Sequence, residues 1–133
     1  MGVYAAAMTG AEDDKTLVVA IVDDDPSVLR ALQNLLTSAG HEVAIFASAG
    51  AYLASGYLAR TRCLILDLQM PEMSGQELLA SVVRQRPVPV IILTAVGDDE
   101  VRDALLRDGA VAFLTKPFRA ADVLAAVKRA LET

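Results

Sequence analysis

Five side chains in this sequence of 133 residues could do chemistry together. Each directly follows a short apolar run. "LVVAIV" ends at Asp23 and Asp24, "CLIL" at Asp67, "VIIL" at Thr94 and "AFLT" at Lys116. Three carboxylates without a thiolate make a hard oxygen site, suited to Mg²⁺ or Mn²⁺ and unsuited to zinc. Without a cation, mutual repulsion raises the pKa of at least one carboxyl. With one, the cluster becomes a phosphate site, in which a lysine and a hydroxyl take the remaining phosphoryl oxygens. Acyl transfer is a poor match, because no Ser-His-Asp set exists. The only histidine, His41, lies in "SAGHEV", between a helix and a strand and away from these residues. Singly, an aspartate after a strand is an ordinary turn or cap residue. The joint placement at four strand ends is what points to a site.

Those positions require a scaffold that brings strand ends together. Leu17–Val22, Val43–Phe46, Cys63–Leu66, Pro89–Thr94 and Ala110–Leu114 are rich in Val, Ile and Leu, the pattern of strands buried on both faces. Between them the spacing predicts five helices. The first carries Val28, Leu29, Leu32, Leu35 and Leu36 and stops near Gly40. The others are Ala51 to Leu58, Gln76 to Arg86, Glu100 to Arg107 and Ala121 to Leu131. Five strands alternating with five helices predict a flavodoxin-like α/β sandwich, a five-stranded parallel sheet of order 2-1-3-4-5 with helices on both faces. Such a sheet binds ligands beyond the carboxyl ends of its strands. Asp25 stands apart from the cluster. It precedes Pro26, which suits a first helical position, so it is expected to cap the first helix at the positive end of its dipole.

Composition narrows the function classes. Hydrophobic residues make up 54% and charged residues 22%, enough apolar material for one packed core. The formal net charge of -5 and the absence of tryptophan argue against a nucleic-acid surface, which carries a basic stripe and stacking platforms. No apolar run approaches the roughly 18 residues of a membrane span. The single cysteine, Cys63, permits no internal disulfide and reads as a small core residue, so a reducing, cytoplasmic setting fits. Residues 1–15 lack periodicity and read as a flexible leader or an appended segment, with one domain over 16–133.

At these residues the sequence resembles the receiver domain of two-component response regulators, from about Leu17 to Leu131. The motifs are "VDDDP", "LDLQMPEMSG", "LTA" and "KPF", in order at the expected strand ends. "AVGDDEVRDALLRDGAVAFLTKPF" and "FASAGAYL" look most like the FixJ-type branch. The resemblance implies that Asp67 accepts a phosphoryl group from the phosphohistidine of a sensor histidine kinase. It also implies a signalling phosphoacceptor, not an enzyme acting on a separate substrate, that catalyses its own phosphorylation and dephosphorylation. Asp24 and Asp67 would bind Mg²⁺ through their side chains, Gln69 through its backbone carbonyl and Asp23 through a bound water. Thr94 and Lys116 would bind phosphoryl oxygens, Ala95 would leave room for the group, and Lys116–Pro117 would be a cis peptide. Thr94 and Phe113 would be the switch residues. The signal would remodel the face of the fourth helix, fifth strand and fifth helix, where Arg102, Asp103, Arg107, Asp108, Arg119, Lys128 and Arg129 suit a symmetric dimer. Gln69 and Val96, each two residues beyond a site residue, are not acidic, which predicts a slowly hydrolysed phosphoryl group.

FixJ-type receivers usually continue into a DNA-binding helix-turn-helix domain. The alternatives are a receiver controlling such a domain, hence transcription, or a stand-alone receiver acting in a phosphorelay or as a phosphate sink. A haloacid-dehalogenase-type phosphatase also forms an aspartyl phosphate. It would place the nucleophile at Asp23 with Asp25 as its partner carboxylate, would want threonine where Ser27 stands, and would leave Asp67 without a role. A flavodoxin-like cofactor binder would want a Gly/Ser/Thr-rich loop where the aspartates stand.

Overall fold

A computed structural model describes residues 16–70, 73–95 and 99–132. The leader over residues 1–15, and Val96, lie outside the described residues. In chain order the elements are β1 (Val18–Val22), α1 (Pro26–Ser38), β2 (Val43–Phe46), α2 (Ala49–Ser55), a 3-10 turn (Tyr57–Arg60), β3 (Thr61–Asp67), α3 (Gly75–Gln85), β4 (Val90–Thr94), α4 (Asp99–Arg107), β5 (Ala110–Thr115) and α5 (Ala120–Leu131). The sheet is parallel throughout, in the order β2-β1-β3-β4-β5. Parallel strands need crossovers, and the right-handed crossover rule distributes the helices over both faces.

The two faces are two cores. Val18, Ala20, Val22, Leu64, Leu66, Val90 and Ile92 meet α2, α3 and α4 through Tyr52, Leu78, Leu79, Val82 and Leu105. The alternate positions Val19, Ile21, Cys63, Ile65, Ile91 and Leu93 meet α1 and α5 through Leu29, Leu32, Leu36, Val123 and Val127. All five residues of β1 and of β4 are buried, so neither strand shows polar alternation. Cys63 belongs to the second core, where burial pushes its thiol up to about 12.

Helix ends follow local chemistry. Asp25 caps α1, its side chain accepting from the Ser27 N–H at 2.8 Å, with Pro26 at the first position. Ser48 caps α2 and Ser74 caps α3, the latter in a capping box closed by Glu77. The expected helix from Ala51 to Leu58 is instead α2 followed by the 3-10 turn. Gly56, at φ +79°, takes the left-handed conformation that ends an α-helix. The turn is secured by side chains. Thr61 Oγ1 donates to the Tyr57 carbonyl at 2.7 Å, so the fully buried Tyr52 hydroxyl is the donor to Thr61 at 2.8 Å.

Strand bounds also shift. β3 starts at Thr61 and runs to Asp67, and β4 starts one residue after Pro89. Proline has no N–H for the ladder, although its carbonyl accepts from Leu64 at 2.9 Å. β5 reaches Thr115, and its register with β4 jumps from Val90↔Ala110 to Ile91↔Ala112, leaving Val111 as an extra, unpaired residue. Before β5 the chain turns at Gly109, φ +120°, where a Cβ would sit 3.0 Å from Val83 Cγ2.

Candidate functional site

The sheet's hydrogen bonds continue one residue past its strands and fix the site. The Asp23 N–H donates to the Phe46 carbonyl at 3.1 Å, Leu68 to Leu93 at 3.0 Å and Lys116 to Thr94 at 2.8 Å. The backbones at Asp23, Asp67, Thr94 and Lys116 are thus held by the same ladder that builds the core. This explains why residues from four separate stretches of sequence converge on one edge.

Asp23, Asp24 and Asp67 each place a carboxylate oxygen within 4.8 Å of the others. Their burial differs. Asp23 is 0% and Asp67 5% exposed, whereas Asp24 is exposed. Asp23 Oδ1 accepts from the Asp25 N–H at 2.9 Å, and Oδ2 lies 2.9 Å from Lys116 Nζ. Asp67 Oδ1 accepts from the Gln69 N–H at 3.2 Å and lies 3.5 Å from the same ammonium. Lys116 therefore spans the two buried carboxylates and sits nearer Asp23.

The electrostatics follow from that packing. Burial, then the neighbouring Asp23 charge, pushes the Asp67 carboxyl above its ordinary value; the Gln69 N–H and the Lys116 ammonium pull the other way, and Asp24 adds to the rise. Burial works against the Lys116 ammonium, but its contacts with Asp23 and Asp67 outweigh that and hold its pKa above that of ordinary lysine. Among the described residues one ammonium, at Asp23 and Asp67, serves a cluster of three carboxylates, so negative charge is left over. Asp23 Oδ2 is also buried without a hydrogen bond of good geometry; the ammonium supplies charge there but not direction. An excess of carboxylate oxygens with one such orphan fits a hard divalent cation.

The remaining site residues surround this cluster. Thr94 is 4% exposed at the end of β4, and Ala95, next to it, is exposed. Gln69 is exposed, with its backbone against Asp67. The Lys116–Pro117 peptide is cis. Phe113 is partly buried on β5, with the Arg102 guanidinium 5.8 Å from its ring centroid. His41 lies in the turn before β2, at the opposite edge of the sheet, where its N–H donates to Leu36. Asp25 is spent on its helix cap, so the phosphatase arrangement of Asp23 with Asp25 is not formed. The Asp25 backbone N–H, which orients Asp23, went unnoticed in the sequence, where "DDD" shows only side chains. The Arg102–Phe113 contact has no linear signature at all.

Residues 19–128 match the family model described as response regulator receiver domain. The response regulator protein TmoT of Ectopseudomonas mendocina is 42% identical over 90% of this chain and 55% of that protein. The transcriptional regulatory protein FixJ of Rhizobium meliloti is 38% identical over 86% of this chain and 56% of that protein. The chain spans about half the length of the curated relatives it matches. Among solved structures, the Vibrio cholerae chemotaxis protein CheY4 superposes with a TM-score of 0.81 at 31% identity, covering 87% of this chain and 99% of that one. FixJ-N superposes at 0.78 and 36% identity, over 87% and 94%.

The raised Asp67 pKa carries a testable sign. A carboxyl that binds its proton more tightly folded than unfolded contributes most stability below the unfolded pKa. That contribution is lost as pH rises through the folded pKa. Asp67→Asn is therefore expected to raise the melting temperature of metal-free protein at pH 7 by a few degrees, with the gain shrinking toward pH 3 and on adding Mg²⁺. Equal melting curves at pH 7 without metal would contradict this.

Proposed function

The chain belongs to the family of response regulator receiver domains, and on that premise we propose that Asp67 accepts a phosphoryl group from the phosphohistidine of a sensor histidine kinase. The observation that carries this reading is the Lys116 ammonium set between the buried carboxylates of Asp23 and Asp67. The Gln69 N–H and Lys116 both engage Asp67 Oδ1, which leaves Oδ2 to act as nucleophile. Oδ2 attacks phosphorus, the P–N bond breaks, and its electron pair leaves on the imidazole nitrogen. Asp23 is fully buried, its Oδ1 holding the Asp25 N–H and its Oδ2 facing the Lys116 ammonium, and is the poorer nucleophile.

Mg²⁺, or Mn²⁺ in its place, would be held by the side chains of Asp24 and Asp67, the Gln69 carbonyl and, through water, Asp23. When bound it offsets the surplus negative charge and the charge developing on the phosphoryl oxygens. Lys116 moves from its carboxylate contacts onto a phosphoryl oxygen, Thr94 donates to another, and Ala95 leaves the approach open. These residues catalyse transfer to the protein itself and later hydrolysis by water. The setting is cytoplasmic, where a sensor kinase presents its phosphohistidine.

Output proceeds through α4, β5 and α5. Movement of Thr94 toward the phosphoryl group and of Phe113 inward remodels this face. Arg102, Asp103, Arg107, Asp108, Arg119, Lys128 and Arg129 are all exposed there, beside Leu106 at 40% and Val111 at 43% exposure. Alternating charges around exposed apolar residues suit a second copy of the chain, with no direct contact to nucleic acid by this domain. The relatives' names, response regulator and transcriptional regulatory protein, support output as control of transcription through a further domain. The other output is as a stand-alone receiver in a phosphorelay.

Three measurements test this reading. Incubation with acetyl phosphate and Mg²⁺ is expected to add one phosphoryl group by intact mass to the wild type and none to Asp67→Asn; an adduct on the variant would overturn the acceptor assignment. Gln69 is exposed and not acidic, so it offers no base to an attacking water. A radiolabel chase should then give a phosphoryl half-life of minutes or longer, and a half-life of seconds would refute that. Light scattering should show beryllofluoride, an acyl-phosphate mimic, shifting monomer to dimer, whereas an unchanged monomer removes the dimer from the proposal.

A further inference from the structure

α4 is thinly anchored. Among its residues from Val101 onward, only Leu105 is fully buried, Val101 and Ala104 are partly buried, and Leu106 is 40% exposed. A second attachment reaches β5, where the Arg102 guanidinium stands over the Phe113 ring. Phe113 pairs in register with Ile92, and Thr94 lies two residues beyond Ile92. Residues two apart on a strand share a face, so Phe113 and Thr94 belong to the sheet face that α4 covers. Close packing makes neighbouring side chains on that face compete for space. On the phosphoacceptor reading above, a shift of Thr94 toward Asp67 would open room for the ring, and withdrawal of the ring from Arg102 would be the cost of filling it.

We infer that Arg102 is a positioning residue that holds Phe113 in its outer place in the unphosphorylated protein and so sets the fraction of molecules ready to keep a phosphoryl group. The inference rests on the phosphoacceptor reading above. A cation over an aromatic face at an exposed site biases a two-place equilibrium by about two- to fivefold. Among the described residues Arg102 has no ion pair with Asp23, Asp24 or Asp67, and it acts through the ring. Its effect therefore belongs to the switching equilibrium and leaves the attacking oxygen unaltered.

The chain has three phenylalanines, Phe46, Phe113 and Phe118, so ring-labelled protein gives a spectrum simple enough to follow Phe113 by NMR. In metal-free protein, Arg102→Ala and Arg102→Met are expected to move the Phe113 signal toward its position in beryllofluoride-treated wild type, while Arg102→Lys stays near wild type. With Mg²⁺ present, the apparent affinity for beryllofluoride should tighten about two- to fivefold in the Ala and Met variants and hold in the Lys variant. Methionine keeps an unbranched apolar chain and loses the charge, so a purely packing role would leave Arg102→Met like wild type. That result, or an Arg102→Ala variant with an unmoved Phe113 signal or unchanged affinity, overturns the inference. A wild type that takes up no beryllofluoride overturns the phosphoacceptor reading instead, and the metal-free spectra of the variants still decide the contact.

Discussion

The ammonium of Lys116, 2.9 Å from Asp23 and 3.5 Å from Asp67, is the contact on which the arrangement of this molecule turns. A carboxylate as buried as that of Asp23 is untenable alone, because desolvation of an unpaired charge costs several kcal/mol. Its partner comes from the far end of the chain, after the last strand. Asp23 follows β1, near one side of the sheet, whereas Lys116 follows β5, the opposite edge strand. β3 and β4 lie between those strands, so the pair meets because the strand ends are matched and the lysine stem reaches back across them.

The two cores serve that requirement unequally. The α1 and α5 side is a continuous apolar layer, with Leu32, Leu36, Val123 and Val127 fully buried, and it holds the strand ends at fixed height. The other side is more varied. It contains the Tyr52–Thr61 hydroxyl pair, the Phe46, Tyr52 and Tyr57 rings meeting edge to face, and α4 with one fully buried leucine. Few buried contacts make an element easier to displace. Displacement is therefore easier on the α4 side, while the carboxylate edge is tied to the ladder of the sheet.

Much of this was legible in the sequence because it depends on short-range pattern. Runs such as "VVAIV" and "VIIL" declare strands buried on both faces, and the polar residues at their carboxyl ends declare the site. Asp25 before Pro26 declares a helix cap. The misjudged parts depend on contacts between distant residues or on backbone conformation. The helix expected to continue to Leu58 breaks because Gly56 adopts a positive φ and because Thr61, on the next strand, holds the turn. The orientation of Asp23 by the Asp25 N–H is a backbone effect that residue types do not express. The meeting of Arg102 with Phe113 depends on how α4 lies against β5, which no spacing encodes.

The extra residue at Val111 bears on how the molecule behaves in company. β5 is an edge strand, and an unbroken edge is a template on which another chain can lay a strand, and then another. The register jump between Val90 and Ile91 interrupts that template at its start, where Val111 is the extra residue. The exposed apolar side chains beside it, Leu106 and Val111, can thus be carried without inviting open-ended strand addition. Any recognition along this edge is thereby left to side chains, and open-ended strand addition, the route to fibres, is blunted.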